Sequence, residues 1–303
     1  MSASSFRPTI IIPTKDRAQI LAQLLGSLEQ LEAIDRILPE IIVADNDSHD
    51  NTYEDVNSKP GCFPTTIRAL KVRRPGKSAA VNDAARAAAG NVLIFLDDDV
   101  VVEKTWLTSV EEFFRCGKYH VGQGIIRLQS PAKDDPEIQK LFHRYRTIPQ
   151  LEHEAHVKEV RSLNGSNFFV SREVFDRIGG FDERLGPGAS GTSEDVEFAQ
   201  RLERSGIGIG YASTAIVYHR VDRCRLTDEY FKQIHWRQGR SRLVIRSRSA
   251  PEIIFNLVRS FGLYVCYTLL GNERNRYRSK GRIYHYLGMM DAKQNNFNHL
   301  QER

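Results

Sequence analysis

Residues 76–100 read GKSAAVNDAARAAAGNVLIFLDDDV. The alanine-rich part predicts a helix over residues 78–89, and the uninterrupted apolar run VLIFL predicts a strand that is covered on both faces. The strand leads directly into three consecutive carboxylates, Asp97, Asp98 and Asp99. Carboxylates this close repel one another and resist burial, so a compensating cation is expected beside them. The alternative is a solvated turn that caps the next helix.

The same alternation of apolar runs and helical patterns precedes this stretch. Apolar runs at residues 9–12, 40–44 and 67–72 predict strands, with helices between them. This order predicts an α/β fold with a Rossmann-like, mostly parallel sheet flanked by helices. Sheets of this kind bind ligands beyond the carboxyl ends of their strands.

The second half of the chain continues with less regular patterns. They predict a helix over residues 105–114, a strand near residues 121–127 and a further strand at residues 167–171. Residues 130–161 are polar and predict an irregular excursion over the surface. From residue 227 onward the pattern is helical throughout, which predicts a helical C-terminal extension.

Polar side chains follow the predicted strands. Pro13 and Thr14 follow the first strand, Asp45 follows the second and Lys77 follows the third, so these groups and the acidic triplet are expected at one sheet edge. Lys77 has the charge to meet a phosphate at a helix start, although an ordinary solvated lysine fits the same pattern. The triplet suits Mg²⁺ or Mn²⁺, which take one or two carboxylates and complete their shell with water and phosphate oxygens. Such an ion would neutralise a diphosphate leaving group.

Five segments carry distinctive motifs in a fixed order. The first three are IIIPTKDR at residues 10–17, IIVADNDSHDNT at residues 41–52 and the stretch at residues 76–100. The other two are LNGSNFFVSREVFDRIGGFDERLG at residues 163–186 and SEDVEFAQRLERSG at residues 193–206. Together they resemble the glycosyltransferase family 2 proteins, which have the GT-A fold.

This resemblance extends over roughly residues 8–220. It implies a GT-A catalytic domain at residues 1–222, with a nucleotide-binding half at 8–102 and an acceptor half at 103–222, followed by the helical extension at 223–303. The implied activity is inverting transfer of a sugar from a nucleotide diphosphate donor. The implied acceptor is a hydroxyl of a saccharide or a lipid-linked saccharide.

The resemblance also implies which residues bind the donor. The nucleotide-binding positions are Pro13, Thr14, Asp45, Lys77, Asn82, Asp97 and Asp98. An Asp45 carboxylate facing uracil N3–H favours a UDP-sugar. Asp99 matches the metal-binding carboxylate of the family, with Asp97 and His219 as further ligands of Mn²⁺ or Mg²⁺. A lone histidine after an apolar strand is also common as a structural residue, so that alternative stays open.

Two carboxylates, Glu194 and Asp195, begin a predicted helix after a glycine-rich loop. Their local interpretation is that they cap the helix. The resemblance implies instead that Asp195 is the general base that deprotonates the acceptor hydroxyl, with Glu194 as the alternative base.

Competing functions differ in where their motifs lie. A sugar-nucleotide pyrophosphorylase-like nucleotidyltransferase should carry a glycine-rich phosphate loop after its first strand, where this chain has PTKDRA. A non-catalytic nucleotide-sugar-binding protein would share the binding residues, so it stays an alternative. The net charge is only +5, and no zinc-finger, basic-zipper or RNP-type pattern accompanies the arginines, which argues against a nucleic-acid partner.

A second apolar segment lies in the C-terminal extension. Residues 251–271 read PEIIFNLVRSFGLYVCYTLLG, and Arg259 within them argues against a membrane-spanning helix. The basic run NERNRYRSKGR at residues 272–282 follows. The combination predicts a helix lying in the interface of an anionic membrane. The alternative is a helix that packs on the catalytic domain or on a second copy in a homodimer.

Two further features bear on the compartment. Met1–Arg7 lacks a signal-peptide pattern. The four cysteines are widely spaced, at Cys62, Cys116, Cys224 and Cys266, which favours a reducing compartment. We therefore expect a cytoplasmic protein that is peripheral on the inner face of the membrane.

Overall fold

The computed structural model describes residues 6–59, 63–130, 134–154 and 156–301, with side chains described as far as residue 294. Most of the N-terminal segment considered above, and Cys62, therefore lie outside the described residues. The chain divides into two compact units. The first unit comprises Met1–Gln129, Pro149–Glu183 and Glu194–Arg220, and the second comprises Ser130–Ile148, Arg184–Ser193 and Val221–Arg303.

The first unit is built on one mixed sheet. Its strands are β1 Pro8–Thr14, β2 Glu40–Asp45, β3 Ile67–Lys71, β4 Val92–Phe95, β5 Val100–Val102, β6 Val121–Leu128, β7 Glu159–Val160, β8 Phe168–Ser171 and β9 Ile209–His219. Their order is β3-β2-β1-β4-β8-β6-β9-β5, with β7 beside β9. The first four strands run parallel, whereas β8 is antiparallel to both β4 and β6. The predicted fold class is confirmed.

Helices flank the sheet in the first unit and make up much of the second unit. They are α1 Ala18–Glu29, α2 Ile34–Ile37, α3 Thr52–Asn57, α4 Lys77–Ala87, α5 Trp106–Arg115, α6 Pro136–Tyr145, α7 Arg172–Ile178, α8 Glu194–Arg204, α9 Asp228–Ile245, α10 Ala250–Leu269 and α11 Glu273–Gln301. The helical C-terminal region is confirmed by α9, α10 and α11. Among the described residues, none of the helices combines the length and the apolarity that crossing a membrane requires.

The alternation of side chains along β1 places its residues in two core layers. Ile10 and Ile12 lie in a hydrophobic cluster with the leucines of α1, whereas Ile11 lies in a second cluster with Ala80 and Ala84 of α4. The whole strand is buried because both faces are covered, as its uninterrupted apolar run predicts.

One prediction is wrong. The polar stretch at residues 130–161, expected to be irregular, contains the amphipathic helix α6, which buries Ile138, Phe142 and Tyr145. Asp135 caps this helix by accepting hydrogen bonds from two backbone N–H groups, and Pro136 occupies its first turn. Polar residues between the three buried positions obscured the helical period, although the cap and the proline are a recognisable start signal.

Close helix packing in the second unit depends on glycine. A Cβ placed on Gly239 of α9 would lie 1.9 Å from the carbonyl oxygen of His285 on α11, and one on Gly288 would lie 2.2 Å from the carbonyl oxygen of Trp236. Any side chain at either position would force α9 and α11 apart. These two glycines therefore allow the backbones of the two helices to come into direct contact.

Candidate functional site

The carboxyl ends of β1, β2 and β4 meet at one edge of the sheet. Thr14 is the register partner of Asp45, because β1 and β2 run parallel, and β4 lies on the other side of β1. The acidic triplet follows β4 directly. Parallel pairing therefore gathers polar side chains that are far apart in the chain, as the sequence predicts.

Asp98 is held by two groups from the segment that follows β1. The Thr14 hydroxyl donates to Asp98 Oδ2 at 2.7 Å, and Arg17 Nη1 lies 2.8 Å from Asp98 Oδ1. The same guanidinium lies 3.5 Å from Asp99 Oδ2. Burial raises the pKa of Asp98, against the opposing charge of Arg17. Arg17 thus supplies part of the positive charge that the triplet needs, a role that the sequence analysis missed.

Asp97 faces a different cation. Lys77 Nζ lies 2.6 Å from Asp97 Oδ1 and 3.3 Å from Glu194 Oε1, and the Ser166 hydroxyl donates to Asp97 Oδ2 at 2.7 Å. Burial opposes ionisation of Asp97, but the Lys77 charge and the two hydrogen bonds outweigh it and hold its pKa below the ordinary value. The lysine at the start of α4 therefore lies between two carboxylates instead of extending into solvent.

Asp195 lies beside this ion pair and has no ion-pair partner at contact distance among the described residues. Its Oδ2 accepts a hydrogen bond from the Gly165 backbone N–H at 3.0 Å. Burial, followed by the adjacent Glu194 charge, raises the pKa of Asp195 to about 7, against the lowering effect of Lys77 and the backbone donors. A carboxylate with such a pKa can accept a proton near neutral pH.

A pocket opens beside these groups. Its walls are apolar at the sheet, and its polar lining comes from Lys77, Glu194 and Asp195. The other lining residues are Pro13, Ser78, Val81, Phe95, Gly165, Phe168 and Phe181. Two of the predicted donor-binding residues, Pro13 and Lys77, therefore border the same pocket as both predicted bases.

His219 reaches the triplet through the antiparallel pairing of β5 with β9, in which it is the register partner of Val100. Its Nε2 lies 3.3 Å from Asp99 Oδ1, and the imidazole is 1% exposed. Its Nδ1 lies 2.8 Å from the Arg220 carbonyl oxygen, which can only accept, so in the neutral form of the ring it is Nδ1 that carries the proton. The Nε2 lone pair is then directed away from that bond and is available to a cation.

The spacing of His219 and Asp99 fits a divalent metal. Two ligand atoms in neighbouring octahedral positions, each about 2.1 Å from Mg²⁺, lie about 3 Å apart. No group of three or more His, Cys, Asp or Glu among the residues that the structure describes could hold a metal by itself. A two-ligand site suits an ion that takes its remaining ligands from phosphate and water. Asp97, the other predicted ligand, is paired with Lys77 and Ser166.

Asp45 is fully buried at the end of β2. Its Oδ1 accepts a hydrogen bond from the Ser48 backbone N–H at 3.1 Å, but its Oδ2 has no hydrogen-bond partner among the residues that the structure describes. Leaving such an atom unsatisfied costs about 1–3 kcal/mol, so an unpaired buried acceptor needs an explanation. A ligand that presents an N–H group would satisfy it.

Two asparagines fix the loops around the pocket. The Asn82 side chain accepts from Phe181 N at 2.8 Å and donates to Phe181 O at 2.9 Å, which binds the loop after α7 to α4. Its expected contact with a nucleotide stays a prediction. Asn46, which the sequence analysis did not single out, accepts from Gly76 N and donates to the Val72 carbonyl. It thereby positions the turn before Lys77.

The sequence is similar to those of known proteins over much of its length. Residues 9–179, more than half of the chain, match the family model described as Glycosyl transferase family 2. The O-antigen biosynthesis protein RfbC of Myxococcus xanthus is 24% identical over 75% of this chain and 18% of its own length. The succinoglycan biosynthesis protein ExoM of Rhizobium meliloti is 25% identical over 73% of this chain and 69% of its own. This chain thus spans less than a fifth of RfbC.

Solved structures of similar fold carry nucleotides. The mannosyltransferase PcManGT from Pyrobaculum calidifontis in complex with GDP-Man and Mn²⁺ has a TM-score of 0.63 and 16% identity, covering 97% of this chain and 88% of that one. TarS 1–349 of S. aureus in complex with UDP has a TM-score of 0.56 and 15% identity, covering 95% and 92%. GalNAc-T7 with UDP, GalNAc and Mn²⁺ has a TM-score of 0.58 and 15% identity, covering 82% and 52%. At these identities the likeness shows the fold.

Proposed function

Because this chain belongs to glycosyl transferase family 2 and is a glycosyltransferase, we propose that it transfers a sugar with inversion from a UDP-sugar to a saccharide hydroxyl. The observation that carries this proposal is the position of Asp195, a buried carboxylate that borders the same pocket as Lys77. Asp195 is the proposed base on the acceptor, and Lys77 is the proposed cation on the donor. The proposed catalytic domain is residues 1–222, with residues 223–303 as its helical extension.

The donor diphosphate is proposed to bind between α4 and the acidic triplet. Burial opposes the charge of Lys77, but the carboxylates of Asp97 and Glu194 outweigh it and raise its pKa, so the ammonium stays charged at neutral pH. Lys77 also begins α4, where the helix dipole favours a phosphate. Asp99 and His219 would hold Mn²⁺ or Mg²⁺, which, when bound, neutralises the charge that develops on the leaving diphosphate. Both PcManGT and GalNAc-T7 contain Mn²⁺ in their solved structures.

The proposed reaction is one displacement. The acceptor oxygen bonds to the anomeric carbon as the bond from that carbon to the diphosphate oxygen breaks, and the hydroxyl proton passes to Asp195. Attack opposite the leaving group inverts the anomeric configuration. Asp195 is preferred over Glu194 as the base because the Glu194 carboxylate is engaged by the Lys77 ammonium at 3.3 Å, whereas Asp195 has no ion-pair partner at contact distance among the described residues.

The raised pKa of Asp195 leads to a prediction for the pH profile. The base must be ionised, so activity is full above its pKa and is lost as the pH falls. We expect kcat/KM, measured at saturating Mn²⁺, to fall about tenfold per pH unit below about pH 7. A profile that stays flat down to about pH 5 would mean that the carboxyl titrates near its ordinary value and that the proposed environment of the base is wrong.

The unpaired Oδ2 of Asp45 supports the choice of uridine. Uracil N3–H is a donor that an ionised carboxylate accepts well. In Asp45→Asn, the side-chain oxygen can still accept from Ser48 N, which leaves an NH₂ group facing another donor. We expect the affinity for UDP, measured by calorimetry, to fall about 10- to 100-fold.

Asp55→Asn is the matched control, since it removes an exposed carboxylate on α3 and should leave UDP affinity unchanged. Guanine also presents N–H donors, and PcManGT was solved with GDP-Man. If GDP outcompetes UDP for the unmodified protein, the uridine assignment is wrong. If Asp45→Asn binds UDP with normal affinity, Asp45 does not contact the uracil ring.

The acceptor is proposed to be a saccharide or a lipid-linked saccharide, reached by a cytoplasmic enzyme at the inner face of the membrane. Two proteins of similar sequence support this proposal, because RfbC and ExoM are both named for polysaccharide biosynthesis. Incubation with UDP-sugar panels and candidate acceptors, with mass-spectrometric detection of product, tests this. If no sugar nucleotide is turned over with any of these acceptors, the proposed transfer to a saccharide is wrong.

A further inference from the structure

We propose that the exposed side of α10 is a docking surface for an anionic lipid bilayer. Five large apolar residues recur on it with the spacing of one helical stripe, and Phe255 lies beside them. We call this the α10 face, and the stripe comprises Ile254, Val258, Phe261, Val265 and Leu269. Their exposed fractions range from 41% to 83%.

This exposure is concentrated in one place. Of the ten large hydrophobic residues that are exposed in the described part of the chain, seven lie between Ile254 and Leu270. The opposite side of α10 packs on α11 and buries Ile253 and Ser260. An uncovered stripe of this length is unusual for a protein surface in water and indicates an interaction site.

The segment of the chain that carries the α10 face is strongly basic. Residues 246–282 contain eight basic and two acidic residues, an excess of six, whereas the whole chain has a net charge of +5. This short segment therefore accounts for all of the positive net charge. Arg259 is exposed on α10, and Arg274, Arg278 and Arg282 are exposed at every fourth position of α11.

The charge decides between possible occupants. A second copy docking through the same face would bring two segments with six excess positive charges together, and their repulsion opposes such a dimer. A nucleic acid would satisfy the charge but would leave the aliphatic stripe in contact with water. A bilayer with anionic headgroups meets both needs, because apolar side chains enter the acyl boundary while arginines remain with the phosphates.

This inference rests on the proposed function in one respect, since it names the surface on which a lipid-linked acceptor would be met. Vesicle binding can be measured without donor or acceptor, so it can fail while transfer is confirmed, or hold while transfer fails. Donor affinity of each variant, measured in the absence of vesicles, keeps the two outcomes apart.

The test is flotation of the full chain with phosphatidylcholine vesicles, with and without phosphatidylglycerol. We expect binding only when phosphatidylglycerol is present, and we expect added salt to weaken it because salt screens the arginines. Phe255→Gln combined with Phe261→Gln should lower the affinity at least about tenfold, because two exposed rings no longer enter the bilayer. Leu38→Gln, which removes a comparably exposed apolar side chain at the C-terminal end of α2, is the control and should leave vesicle affinity unchanged.

The charge contribution has its own pair of variants. Arg274→Gln combined with Arg278→Gln should weaken binding about 30-fold, since each surface arginine contributes about a factor of five. Arg177→Gln combined with Arg204→Gln removes two exposed arginines from the first unit and should leave binding intact. All four changed arginines are exposed, so thermal unfolding of both variants should match that of the unmodified chain.

Three outcomes would overturn the proposal. They are absence of binding to phosphatidylglycerol vesicles at low salt, unchanged binding after the two phenylalanine substitutions, and a dimer in solution that these substitutions dissociate while vesicles stay unbound. The last outcome would assign the α10 face to a second copy.

Discussion

Replacing Asp195 with asparagine should lower the rate of transfer about 10²- to 10⁴-fold while leaving donor affinity nearly unchanged. Asparagine has the same size, and its side-chain oxygen can still accept the hydrogen bond from Gly165 N; its NH₂ group replaces only the oxygen that accepts from Val196 N, so the pocket should keep its form. It cannot take the proton of the acceptor hydroxyl. Because the base acts on the acceptor, the nucleotide site and its Lys77 ion pairs should be unaffected.

The measurement combines kcat for transfer with calorimetric titration of UDP in the presence of Mn²⁺. Asp176→Asn, which removes an exposed carboxylate from α7, is the matched control and should behave like the unmodified enzyme. Glu194→Gln should differ in kind, because losing a partner of Lys77 changes donor affinity as well as rate.

Two results would contradict this assignment. Near-normal turnover in Asp195→Asn would mean that Glu194 is the base. Glu194→Gln should then show the full loss of rate. Retained anomeric configuration in the product, determined by NMR, would contradict the single displacement itself.

The sheet and its polar edge could be predicted because both depend on local sequence patterns. An uninterrupted apolar run predicts a buried parallel strand, and the residue that ends it must lie at the carboxyl edge. That reasoning alone predicts Thr14, Asp45 and Asp97 at one edge, and the structure brings all three there.

The partners within the site could not be predicted in this way. Arg17 and Asp98 are 81 residues apart, and Ser166 and Asp97 are 69 apart, so no local period connects them. Which carboxylate a cation meets is decided by how loops from several strands converge. One hint was available for Arg17, since a basic residue just before a helix opposes the helix dipole and therefore suggests a compensating anion.

His219 shows what sequence and structure each contribute. The resemblance implied that it binds metal, but a histidine after an apolar strand is equally compatible with a structural role. The antiparallel pairing of β5 with β9 brings it to Asp99, and the Arg220 carbonyl determines which ring nitrogen carries the proton in the neutral form. Tertiary contacts of this kind determine whether a ring nitrogen can bind a cation.

Replacing Asp99 with asparagine should therefore have a second large effect, on donor binding as well as on rate. An amide oxygen is a much weaker ligand for Mn²⁺ than a carboxylate, so the charge that offsets the leaving diphosphate is lost. We expect kcat/KM to fall about 10³-fold or more, corresponding to several kcal/mol of transition-state stabilisation. UDP affinity, which should depend on Mn²⁺ in the unmodified enzyme, should become the same with Mn²⁺ and with chelator.

Asp176→Asn is the control and should keep the full Mn²⁺ dependence. If the unmodified enzyme binds UDP equally well in chelator, then Asp99 and His219 do not form a metal site, and Arg17 together with Lys77 would have to balance the diphosphate charge instead.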